Sequence, residues 1–83
     1  MSRRLTIYTR QDCHLCEEMK LALQEVAEEI PFEVEEIDVD GSADLRDRFG
    51  QEVPVLFIDG RKAFKYRLTA RELKKQLSKG SVV

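Results

Sequence analysis

The chain has 83 residues, of which 42% are hydrophobic and 36% charged; this fits one folded domain spanning 1–83 and excludes disorder or a second independent core. No apolar run approaches the roughly 20 residues that span a bilayer, and a net charge of −2 favours neither nucleic acid nor an acidic membrane as a partner. That charge is unevenly spread: residues 1–60 hold 6 Lys/Arg against 15 Asp/Glu (−9), and residues 61–83 hold 8 against Glu72 alone (+7). Attraction between the two halves is the simpler consequence, and a docking patch for an acidic partner is the alternative.

The start, Met1-Ser2-Arg3-Arg4, is basic, but the alternating Leu5-Thr6-Ile7-Tyr8-Thr9 that follows is no apolar export signal. A cytoplasmic location is therefore expected. Leu5 to Thr9 instead reads as a strand, with β-branched and aromatic residues at period two. From His14 to about Glu29, Leu15, Met19, Ala22 and Val26 fall at helical spacing, and Leu23, Ala27 and Ile30 widen the stripe. Pro31 ends that helix. Phe32 to Val39 reads as a second strand whose alternation changes phase at Glu35-Glu36, which a bulge or a late start would explain.

Asp40-Gly41-Ser42 is a turn that opens a short helix through Leu45 and Phe49, stopped at Gly50. Val53 to Ile58 is an almost wholly apolar run, expected of a strand covered on both faces. Asp59-Gly60 is a hairpin signal joining it to a charged edge strand, Lys62 to Tyr66. Thr69-Ala70-Arg71-Glu72 is a capping box opening a last helix, with Leu68, Leu73 and Leu77 on its apolar side and Lys74, Lys75 and Lys79 suited to its C-terminal end. The order is β-α-β-α-β-β-α.

The chemistry lies in Cys13-His14-Leu15-Cys16, which holds the only two cysteines. A bond between them closes so small a loop that it constrains little of the unfolded chain, so a structural disulfide is not the reading. A Cys-x-x-Cys at a helix start, directly after a strand, puts its first sulfur where unpaired N–H groups and the helix dipole favour an anion. Cys13 is thus the expected nucleophile. An ordinary thiol with a pKa near 8.5 is about 3% thiolate at pH 7, whereas one near 6 would be about 90% thiolate. Cys16, three positions on, is placed to attack a mixed disulfide and release the partner. His14 could favour the thiolate by charge or hydrogen bonding, or simply be exposed, while Asp12, Glu17 and Glu18 oppose it, which leaves the sign of the net effect open. Leu15 and Met19 are expected in the core.

Over about residues 4 to 78 the chain resembles the glutaredoxin branch of the thioredoxin superfamily. The resemblance runs through Ile7-Tyr8-Thr9-Arg10-Gln11-Asp12-Cys13-His14-Leu15-Cys16 and Glu52-Val53-Pro54-Val55-Leu56-Phe57-Ile58-Asp59-Gly60. It implies a four-stranded mixed sheet flanked by three helices, and a thiol-disulfide oxidoreductase with a redox-active Cys13-Cys16 pair. It also implies that Arg10 takes the family's basic position before the first cysteine, that Pro54 is the cis-proline facing the sulfurs, and that Val53 offers its backbone to substrate. Arg10, His14, Val53 and Pro54 are then the substrate-binding candidates. The partners implied are protein disulfides or glutathione together with an upstream reductase, acting on a monomer with no resident cofactor or metal.

Two departures bear on the substrate. His14-Leu15 replaces the family's Pro-Tyr, and Tyr66-Arg67-Leu68-Thr69 lacks the paired glycines and acidic residue that hold glutathione. The sequence looks closer to small bacterial and archaeal-type glutaredoxin-like proteins with a Cys-His-Leu-Cys-like motif. The rival reading is a metal or iron-sulfur module using Cys13 and Cys16, but small metallochaperone domains run β-α-β-β-α-β, and one chain offers at most His14 as a third ligand. A non-catalytic adaptor of the same fold would leave the dithiol unexplained.

Overall fold

The computed structural model describes residues 3–80, with side chains to Ser78. Met1, Ser2 and the Lys79 side chain lie outside the described residues. Strand β1 (Arg3–Thr9) leads into helix α1 (His14–Ala27), followed by β2 (Phe32–Asp38), a one-turn 3-10 helix (Val39–Gly41) and α2 (Ala43–Phe49). The chain closes with β3 (Val55–Ile58), β4 (Arg61–Lys65) and α3 (Ala70–Gly80). The sheet order is β2-β1-β3-β4, with β1 parallel to β2 and antiparallel to β3, and β3 antiparallel to β4. This is the mixed four-stranded sheet with three helices of the thioredoxin-like fold.

Each face of the sheet has its own core. Leu5 and Ile7 of β1, with Leu56 and Ile58 of β3, meet Met19, Leu23 and Val26 of α1 and Leu73 and Leu77 of α3. On the other face Val55 joins Val39 and Phe49, with Tyr8, Val53 and Phe57 packed against them. Central β3 is therefore covered on both faces, which is why its sequence does not alternate. Tyr8 stacks on Phe49 at 4.5 Å between ring centroids, and Phe57 meets both edge-on.

Several local expectations are corrected. The phase change in β2 is neither a bulge nor a late start: the pairing with β1 runs unbroken from Arg3↔Phe32 to Thr9↔Asp38. Its carboxylates follow instead from its place at the sheet edge, where Glu33, Glu35 and Glu36 are exposed. The register irregularity lies between β3 and β4, at Leu56/Phe57. Val39 leaves β2 for the 3-10 turn and becomes fully buried there. Helix α1 stops at Ala27, ahead of Pro31, and Ala27 is exposed rather than part of the stripe. Met19 is in the core, but half-buried Leu15 belongs to neither cluster.

Capping chemistry sets the remaining boundaries. Thr69 Oγ1 accepts the Glu72 N–H and the Glu72 carboxylate accepts the Thr69 N–H, which is the reciprocal capping box read from the sequence. Asp59 and Gly60 both have positive φ, 50° and 85°, as a two-residue hairpin turn with the strand's own twist requires. The Asp59 carboxylate also accepts from the Arg4 N–H and from Arg3 Nε, tying the turn to the start of β1.

Candidate functional site

Strand β1 ends at Thr9, and the chain turns through Gln11 and Asp12 before α1 begins. Asp12 makes that turn with φ of 56°, a left-handed conformation that Asp tolerates better than most side chains. The turn leaves Cys13 as the N-cap of α1, in an extended conformation with φ −107° and ψ 106°. Its Sγ accepts the backbone N–H of Cys16 at 3.1 Å, taking the place of the oxygen of a Ser or Asp cap. The two cysteines are joined as a disulfide, with Cα atoms 5.2 Å apart.

Burial separates the two sulfurs. Cys16 is 2% exposed, one turn into the helix, whereas Cys13 at the helix start is half-buried. His14 is not aimed at either sulfur: its Nε2 lies 3.1 Å from the Glu18 carboxylate in an exposed i,i+4 pair, charged when the imidazole is protonated. Glu17 pairs with Lys20, which also reaches Glu36 of β2, where the buried Thr9 hydroxyl donates to the same carboxylate. Hydrogen bonding to Glu36 and then Glu17 raises the Lys20 pKa, which keeps a fixed cation beside the motif.

Arg10 is engaged within the protein. Nε and Nη2 form a fork on the Asp40 carboxylate at 3.2 and 2.9 Å, and Nη1 donates to the Gly50 carbonyl at 2.9 Å. This straps the turn after β1 to the 3-10 turn and to the end of α2. The fork lowers the Asp40 pKa below its ordinary 3.8, chiefly through the hydrogen bond from Arg10.

Val53 and Pro54 precede β3 rather than lying in it, and the bond between them is cis. Pro54 is buried and Val53 half-buried. The register places this loop at the same sheet end as the cysteines, because Tyr8, just before the motif turn, pairs with Val55. Val55 pairs in turn with Lys65, so the end of β4 arrives there too. The Tyr66 N–H then donates to the Pro54 carbonyl at 2.8 Å, with Tyr66 at φ 69° and the residue 43% exposed.

Sequence reasoning missed two of these residues. Asp40, the counter-ion of Arg10, is 30 positions away and no local pattern announces it. Tyr66 had a usable signal, since a backbone that needs paired glycines in the resembling family needs positive φ whatever residue occupies it. Among the described residues no group of three or more His, Cys, Asp or Glu side chains could hold a metal ion. Nor is any described helix long and apolar enough to cross a membrane.

Comparison with known proteins agrees with this geometry. Residues 4–78 match the model of the glutaredoxin-like domain (DUF836) family. A Dictyostelium discoideum protein described as glutaredoxin-like is 35% identical over 75 residues, covering 83% of this chain and 69% of that protein. An uncharacterised Mycobacterium tuberculosis protein is 30% identical over 87 residues, 98% of this chain and 90% of its own length. Among solved structures, an X. campestris protein superposes with a TM-score of 0.79 at 32% identity, covering 90% of this chain and 96% of that one. Chloroplastic thioredoxin z, at 22% identity and a TM-score of 0.77, covering 94% of this chain and 77% of its own, shares the fold. The chain belongs to the glutaredoxin-like (DUF836) family, built on the thioredoxin fold.

Proposed function

We propose that the protein is a thiol-disulfide oxidoreductase in which Cys13 attacks and Cys16 resolves. The observation that carries this reading is the asymmetry of the pair: one sulfur caps the helix at the surface and the other is buried a turn inside. In the reduced protein the Cys16 N–H and the positive end of α1 favour negative charge on Cys13. The Cys13 thiolate attacks one sulfur of a partner disulfide, forming a mixed disulfide and releasing the other sulfur as a thiolate, which takes up a proton. Cys16 then loses its proton and attacks the Cys13 sulfur. The Cys13-Cys16 bond forms and the partner leaves as a second thiol, so that two electrons and two protons have passed to it.

An extended substrate would lie along Val53, next to Pro54 at the same sheet end. A protein disulfide suits this site better than glutathione. Tyr66 occupies the position where close backbone approach would need glycine, and the Arg10 fork already holds Asp40 and Gly50.

The test is a redox titration against glutathione and dithiothreitol, with mass spectrometry of species trapped by Cys16→Ser. The expected result is a covalent adduct through Cys13, with faster turnover on an insulin-type protein disulfide than on a glutathionylated small disulfide. Glutathione-dependent turnover at an ordinary glutaredoxin's rate, abolished by Arg10→Ala, would overturn the substrate assignment. A dithiol that never cycles would overturn the activity.

A further inference from the structure

The uneven charge of the sequence becomes a spatial asymmetry in the fold, and little of it is neutralised internally. At one edge of the sheet β2 presents Glu33, Glu35, Glu36 and Asp38; β4 at the other edge, with α3 packed on the sheet face, carries cations of the C-terminal part. Mutual attraction between the halves accounts for only two ion pairs among the described residues, Lys62 with Glu52 and Lys74 with Glu29. Arg61, Lys65, Arg67, Arg71 and Lys75 are exposed and form no ion pair within 4 Å among the described residues, Lys65 acting only at longer range on Glu52. A solvated face needs no particular placement for such charges, yet these have one.

Lys65 pairs in register with Val55, and Tyr66 is bonded to the Pro54 carbonyl, so the positive charge begins at the rim of the candidate site. From there Arg67 follows in the segment before α3, and Arg71 and Lys75, four residues apart, continue the charge along α3 itself. The exposed Tyr66 ring lies at the head of this stripe with Lys65 Nζ 5.3 Å from its centroid, an amphipathic anchor of the kind that interfaces favour. Next to the motif in the chain, exposed Asp12, Glu17 and Glu18 carry the other sign. A negatively charged partner is repelled there and at β2, and is attracted along β4 and α3.

Building on the dithiol reading above, we propose that the Lys65-Tyr66-Arg67 rim and the Arg71–Lys75 stripe form the docking surface for a protein substrate whose reducible disulfide is flanked by acidic residues. Charge on this surface steers encounter and orients the disulfide towards Cys13, while Tyr66 supplies the apolar contact next to Pro54. The overall negative charge and the acidic β2 edge favour such a partner over nucleic acid, whose long polyanion would meet both edges.

The test uses the reduced full chain and two peptides with the same intramolecular disulfide, one flanked by Asp and Glu and the other by Lys. Reduction rates are measured at low and raised salt, each normalised to the same variant's rate on the neutral disulfide dithiodipyridine. The acidic peptide is expected to react about tenfold faster at low salt, with the advantage shrinking as salt screens it. The triple variant Lys65→Glu/Arg67→Glu/Arg71→Glu should invert the preference, whereas Arg48→Glu on α2 should leave it in place. Equal normalised rates on the two peptides, or a preference that survives the triple reversal, would overturn the proposal. So would tighter binding of a single-stranded oligonucleotide than of the acidic peptide. If no disulfide is reduced, dithiodipyridine included, the dithiol reading itself fails and the docking proposal falls with it.

Discussion

A sulfur used as a helix cap differs from an oxygen cap in one respect that matters for chemistry: it can leave its role as acceptor and become a nucleophile. Cys13 holds the Cys16 N–H at 3.1 Å, so in the proposed reaction the same short segment that starts α1 would also steady a charge on the Cys13 sulfur. Pulse alkylation of the reduced protein at mildly acidic pH is therefore expected to label Cys13 well before Cys16, which is both buried and a turn inside; labelling of Cys16 first would exchange the assigned roles. A second residue-level expectation concerns Asp59. Hydrogen bonding from the Arg4 N–H, and next from Arg3, lowers its pKa below the ordinary 3.8. A carboxyl whose pKa falls on folding adds stability above its ordinary value and loses it as pH drops through the folded value. Asp59→Asn should accordingly be less stable than the parent protein near neutrality, with the gap in denaturant midpoint closing as pH falls below 3.8; a gap that stays constant across that range would show that the charge plays no part.

Among the elements, α3 depends most visibly on its first turn. Its stripe of Leu68, Leu73 and Leu77 is held on the sheet by burial, but its start is set by the Thr69 and Glu72 exchange of hydrogen bonds. Thr69→Ala should cost about 1 kcal/mol and lower the thermal midpoint by several degrees. An unchanged midpoint would mean that the helix is fixed by its leucines alone. This box was legible in the sequence because both partners lie within one turn, and the same holds for the Asp59-Gly60 hairpin and for α1 following its strand. The thiol pair was legible for that reason too. What escaped was decided by distant parts of the chain. The acidic run of β2 reads as a broken alternation until its place at the edge of the sheet is known. Arg10 reads as a free ligand-binding cation until Asp40 is brought to it by the β1 and β2 pairing and the 3-10 turn that follows. Leu15 follows the helical period and yet joins neither cluster.

At the level of the whole molecule, the candidate site is assembled from two cores that share the sheet but little else. The α1 and α3 core anchors the helix that carries the cysteines through Met19 and Leu23, while Val53, next to Pro54, packs against the Tyr8, Phe49 and Val55 core. Phe49→Ala removes the ring that stacks on Tyr8 and meets Phe57, and should cost about 3 kcal/mol. Its effect should be lopsided, with faster amide exchange at Val55 and Leu56 than in α1; uniform loss of protection would show that the two cores melt as one. The acidic β2 edge has a consequence of a different kind. It presents unpaired backbone groups beside a Val34 that is half exposed, which makes it a template for strand addition between molecules. Its carboxylates not held by Lys20, Glu33 and Glu35 first, oppose this, since two copies laid edge to edge would bring like charges together. Glu33→Val/Glu35→Val should therefore turn a dispersed protein into one that forms fibrils on standing at neutral pH, followed by light scattering and thioflavin fluorescence. The acidity that looked like interrupted patterning is, in this light, protection against amyloid.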